Sequence, residues 1–80
     1  MNRKEVIEKL SPVFRKILNN ESLILTNELT ANDVDNWDSL SHMLLIDEIE
    51  NAFSVKFKLR ELNKMKNVGA LIDILLLKLN

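Results

Sequence analysis

The chain has 80 residues, no cysteine and one histidine, so neither disulfides nor a structural zinc site can staple it. A domain this short hides only about 60–65% of its unfolded surface, and its stability must come from apolar packing between well-formed helices. The net charge of −1 conceals three blocks: +3 up to Lys16, −8 from Glu21 to Glu50, and +4 from Lys56 onward. On charge alone the acidic centre reads equally as a face suited to a basic partner and as a solvated loop and helix face, and it disfavours nucleic acid there.

The start, Met1-Asn2-Arg3-Lys4-Glu5, is charged and lacks the apolar run of a signal peptide. No apolar run exceeds the four residues of Ile74 to Leu77, which is too short to span a bilayer. A cytoplasmic protein is expected.

Val6, Ile7, Leu10, Val13, Phe14, Ile17 and Leu18 follow helical spacing, and Asn2 with Glu5 offers a capping box. Pro12 removes the bond to the Glu8 carbonyl. Because the apolar stripe continues in phase across it, the spacing predicts one kinked helix. The alternative is a break, with Ser11 as cap and Pro12 at the first helical position.

Residues 19–37 read as a long connection whose scattered Leu23, Ile24, Leu25, Leu29, Val34 and Trp37 can pin it across the bundle. Asp38 then caps a second helix reaching Phe53. Leu45, Ile46, Ile49, Ala52 and Phe53 share one face, while Leu40, Met43 and Leu44 lie opposite, beside Asp47, Glu50 and Asn51. A simple amphipathic helix has no such second apolar patch. The spacing alone favours a helix packed on both sides under the long loop; a docking surface is the other reading.

Ser54 to Lys58 alternates and is expected to run extended, followed by a short helix from Leu59 to Met65. Asn67 opens the last helix, with Val68, Leu71, Ile72, Leu75 and Leu79 toward the core. Ile74, Leu76 and Leu77 exceed that stripe, and the sequence does not choose between core, oligomer contact and exposure. The expected architecture is an all-α, four-helix up-down bundle with a short third helix and a long first loop. It forms one domain, 1–80, acting as a monomer.

The segment Asp35-Asn36-Trp37-Asp38-Ser39-Leu40 resembles the attachment signature of acyl carrier proteins, in which Asp-Ser-Leu opens the second helix. The likeness extends to the long preceding loop, the helix Leu40 to Phe53, the short third helix and the Asn67-Val68-Gly69-Ala70-Leu71 start of the last.

The resemblance implies a 4'-phosphopantetheine arm on Ser39, flanked by Asp38 and Leu40, carrying an acyl or aminoacyl group as a thioester. A phosphodiester there would gain from the N–H groups and dipole of a helix start, by about 0.3–1 kcal/mol when exposed. The implied partners are a phosphopantetheinyl transferase, an acyl- or aminoacyl-loading ligase, and a downstream transferase or synthase. Leu40, Met43, Leu44, Asp47 and Glu50 match the family's docking face in position. Leu45, Ile46, Ile49 and Phe53 would be core and line any acyl pocket. The protein itself would be no enzyme.

The chain departs from the family at four places. Asn36 replaces a glycine, and asparagine is the next-best residue for a left-handed backbone. Ser41, Leu44 and Asn51 stand where fatty-acid carriers place acids, which points to a specialised pathway. Two other motifs carry less. His42, three residues after Ser39, is read as a hydrogen-bonded structural histidine rather than a general base. Asp33 to Asp38 fails as a calcium loop at Trp37, at the required glycine and at Leu44. An unmodified helical interaction module is the competing reading from another class.

Overall fold

The computed structural model describes residues 1–80 and is all-α: α1 Arg3–Ile17, α2 Ser39–Phe53, α3 Leu59–Leu62 and α4 Val68–Leu79. Each helix begins where a short polar side chain or a turn can satisfy free N–H groups. In α1, Asn2 Oδ1 accepts from the Glu5 N–H at 2.9 Å and Glu5 Oε1 accepts from the Asn2 N–H at 3.0 Å. Val6, Leu10 and Phe14, one turn apart, are buried along a single stripe.

Pro12 sits inside α1 without breaking it, so Ser11 does not cap a separate helix. Glu8 and Pro12 are both exposed, which leaves the freed Glu8 carbonyl open to water. Ser11 instead donates its hydroxyl to the Ile7 carbonyl at 2.8 Å, the usual back-bond of a mid-helix serine. Asn19, with φ 52°, then turns the chain out of the helix.

The long connection is stitched down rather than loose. Leu23, Leu25 and Val34 are buried in the main core, and Arg15 Nε donates to the Leu23 carbonyl at 2.9 Å. Further along, the Asn27 and Leu29 carbonyls accept from the N–H groups of Gly69 and Val68, at 2.9 and 3.0 Å. The loop thereby caps α4 together with Asn67, whose side chain accepts from the Ala70 N–H. Arg3 ties the three parts together. Its guanidinium donates to Asn27 Oδ1 at 2.9 Å and pairs with Asp73 at 2.7 Å.

α2 runs antiparallel to α1. Trp37, just before α2, meets Phe14 edge to face at 5.4 Å, while Phe53 at its far end lies under Lys9 Nζ at 4.9 Å. Leu45, Ile49 and Phe53 join the main core, and Ile46 is also buried. The second apolar patch, in contrast, is uncovered: Leu40 is 74%, Met43 58% and Leu44 49% exposed. Packing on both sides under the loop is thus overturned. The loop spends Leu23, Leu25, Leu29, Val34 and Trp37 on the core and its carbonyls on α4, whereas Ile24, expected to help pin it, is 72% exposed.

Ser54, with φ 56°, ends α2, and Val55 to Lys58 pass without regular structure. α3 is shorter than the spacing predicts. After Leu62 it relaxes into i→i+3 turn bonds, Lys64 to Glu61 and Met65 to Leu62, and Met65 packs against the core. Glu61 ties this helix to its surroundings by accepting from the Lys58 N–H at 2.7 Å and pairing with Lys78 of α4 at 2.9 Å. Of the surplus residues in α4, Leu76 packs on the core and Ile74 is half-buried, whereas Leu77 is 83% exposed.

Candidate functional site

The segment before α2 is shaped by three side chains. Asn36 adopts φ 71°, as expected for a residue replacing glycine, and its Nδ2 donates to the Leu18 carbonyl at 3.3 Å. This anchors the turn to the end of α1. Trp37 is half-buried against Phe14, and Asp38 follows as the N-cap in extended conformation.

The cap is reciprocal. Asp38 Oδ1 accepts from the Ser41 N–H at 2.9 Å, while Ser41 Oγ accepts from the Asp38 N–H at 2.8 Å. Ser41 Oγ also lies 2.7 Å from the Asn36 carbonyl, to which it donates. The Ser41 N–H bond holds the Asp38 carboxyl below the usual carboxylate range. Ser41 therefore builds the helix start, a role its reading as a missing acid overlooked. The Asp-x-x-Ser spacing was the available signal.

Ser39 is the first residue of α2 and is exposed. The cap's bonds run between Asp38, Ser41 and Asn36, leaving the Ser39 hydroxyl outside them. The His42 N–H closes the first turn on the Asp38 carbonyl at 2.9 Å, so the Ser39 and Leu40 N–H groups lack helical partners. An exposed oxygen at the positive end of a helix dipole suits a phosphodiester on Ser39.

His42 is half-buried, stacks on Trp37 with rings 22° apart, and accepts the indole N–H on Nδ1 at 3.1 Å. Burial pushes its pKa below the ordinary imidazole value. With Nδ1 acting as acceptor, the neutral ring carries its proton on Nε2. In a serine hydrolase the tautomer is reversed: a carboxylate holds Nδ1–H and bare Nε2 takes the serine proton. The arrangement is therefore wrong for general-base activation of Ser39.

Ser39 opens on a cleft of about 370 Å³ lined by Ala31, Trp37, Asp38, Ser39, His42, Met65 and Lys66. Three separate stretches converge there: the 3-10 turn Ala31–Asp33, the start of α2 and the α3–α4 connection. Neither this cleft nor a second surface hollow at Asp73, Leu76, Leu77 and Asn80 is lined by Leu45, Ile46, Ile49 or Phe53, which are closed into the interior.

The predicted docking residues are partly gathered. Leu40, Met43 and Leu44 form an exposed apolar strip, and Asp47 is exposed beside it. Glu50 is half-buried, and its Oε2 accepts from the Phe57 N–H at 2.8 Å, so it also fixes the chain after α2. No helix is long and apolar enough to cross a membrane.

No protein-family model matches the chain, and no curated protein does. Among solved structures, it is similar to the solution NMR structure of the holo acyl carrier protein from Geobacter metallireducens. The two share 49% identity with a TM-score of 0.87, over 92% of this chain and 85% of that one. Identity at this level over nearly the whole length shows that the chain belongs to the acyl carrier protein family.

Proposed function

We propose that this single domain carries an acyl intermediate as a thioester on a 4'-phosphopantetheine arm attached to Ser39. The observation that carries the reading is the division of labour at the start of α2. Ser41 and Asp38 hold the helix, and the exposed Ser39 hydroxyl is left for chemistry. The similar Geobacter metallireducens protein is a holo carrier, which supports the same state for this chain.

In the modification, Ser39 Oγ attacks the phosphorus of the coenzyme A diphosphate nearest the pantetheine. A new P–O bond forms, 3',5'-ADP leaves with the old one, and the serine proton passes to a base of the transferase. Once attached, the arm supplies a thiol for thioester chemistry and a flexible reach between enzymes. The protein contributes position and recognition, with no acid, base or nucleophile of its own.

Recognition falls to Leu40, Met43 and Leu44, ringed by Asp47 and Glu50. Exposed apolar area of this kind is rare on monomers unless it docks something. Partners would be the transferase, a loading ligase and a downstream transferase or synthase. With Leu44 and Asn51 in place of acids, the face is greasier than that of a fatty-acid carrier, which favours a specialised pathway. An aminoacyl cargo is the second reading, since it needs only the same serine and fold.

Peptide mapping after incubation with coenzyme A, magnesium and a broad-specificity transferase tests the site. The arm is expected on the peptide holding Ser39 and absent from those holding Ser11, Ser22 and Ser54. Its cleavage position must further exclude Ser41; an arm on any other serine would contradict the reading.

A further inference from the structure

The cleft beside Ser39 has features that a simple tether does not require. Its walls are Trp37 and Met65, both packed against the core, and at about 370 Å³ it lies at the small end of ligand-binding clefts. Two of its lining residues are suited to an anion. Lys66 is exposed and takes no part in the molecule's two ion pairs, Arg3–Asp73 and Lys78–Glu61. His42 carries its proton on Nε2 because Trp37 occupies Nδ1, so the ring is a fixed donor.

Lys66 is also out of step with its surroundings in sequence. The stretch from Glu21 to Glu50, which supplies the rest of the site's charged groups, contains no Lys or Arg. The one anion lining the cleft, Asp38, is engaged by the Ser41 N–H. A cation brought from the α3–α4 connection to face Ser39 matches a negative charge placed on that serine.

We propose that the cleft is a seat for the phosphate-proximal part of the arm: Lys66 Nζ and His42 Nε2–H bind the phosphodiester, and the geminal methyls next to it pack on Trp37 and Met65. This rests on Ser39 being the attachment point. The arm then leaves the protein along a preferred direction, past Met65, and not as a free tether from the helix end. Seating lowers the number of conformations that a docked partner must order.

The test uses holo protein, with complete modification verified by intact mass, and isotope-filtered NOE spectroscopy of the arm. The geminal methyls are expected to show NOEs to the Trp37 indole and the Met65 methyl. Those NOEs should be lost in Lys66→Glu and retained in Lys66→Arg; both changes lie on an exposed side chain and leave the fold intact. Fully modified protein whose arm methyls show no protein NOE would overturn the seat while leaving Ser39 attachment standing. NOEs unchanged in Lys66→Glu would overturn the phosphate contact. Absence of any mass gain, with an active transferase control, would overturn the attachment reading itself and the seat with it.

Discussion

Trp37 donates its indole N–H to His42 Nδ1 across 3.1 Å, joining the loop that precedes the helix to the first turn of α2. The bond needs a neutral imidazole, because a protonated ring has no acceptor. Burial acts in the same direction, lowering the His42 pKa.

A pH dependence follows. The unfolded histidine titrates near 6.5 and the folded one below that, so between these values the unfolded chain binds more protons. The stabilisation from neutral His42 is fully present above about pH 6.5 and is lost as pH falls through the lower folded value. Urea unfolding of the wild type should weaken across this window, and His42→Gln should flatten the dependence there. An identical profile in the two proteins would contradict the assignment.

Gly69 is required by a close approach, not by its backbone angle. A Cβ at this position would lie 2.9 Å from the Asn27 carbonyl oxygen and 3.1 Å from Asn27 Cβ, and the backbone atom cannot swing away. Gly69→Ala should therefore destabilise by about 1–3 kcal/mol despite its better helix propensity. Urea denaturation measures this. Amide exchange should quicken at Val68 and Gly69, whose N–H groups hold the loop.

Phe14 is 1% exposed and supports Trp37 edge to face at 5.4 Å. Phe14→Ala should cost about 3–5 kcal/mol, close to the whole stability of so small a domain. Phe14→Leu keeps most of the volume and should cost about 1–2 kcal/mol. Thermal unfolding by circular dichroism distinguishes the two.

Leu40 is 74% exposed, so Leu40→Ala should alter stability by no more than about 0.5 kcal/mol. The same change should slow modification by the transferase several-fold. Unaltered modification kinetics in this variant would remove Leu40 from the recognition face.

The sequence carried the features that are local. Asn2–Glu5, Asp38 and Asn67 mark helix starts by residue type and spacing, and each caps as expected. Asn36 likewise signalled its left-handed turn. What stayed hidden depends on contacts distant in sequence. Arg3, Asn27 and Asp73 gave no periodic signal, yet they clamp the loop between α1 and α4. The destination of that loop decides whether Leu40, Met43 and Leu44 are covered, so spacing within α2 could not settle their exposure. The cleft was invisible for the same reason: Met65 and Lys66 meet Ser39 only through the packing of the α3–α4 connection.

The central claim is that Ser39 is the single point of attachment for the arm. Intact-mass analysis of the wild type and Ser39→Ala, each incubated with coenzyme A, magnesium and a broad-specificity phosphopantetheinyl transferase, tests it most directly. One phosphopantetheine adduct on the wild type and none on Ser39→Ala is the predicted result. An unmodified wild type beside an active transferase control, or an adduct that persists in Ser39→Ala, would contradict it.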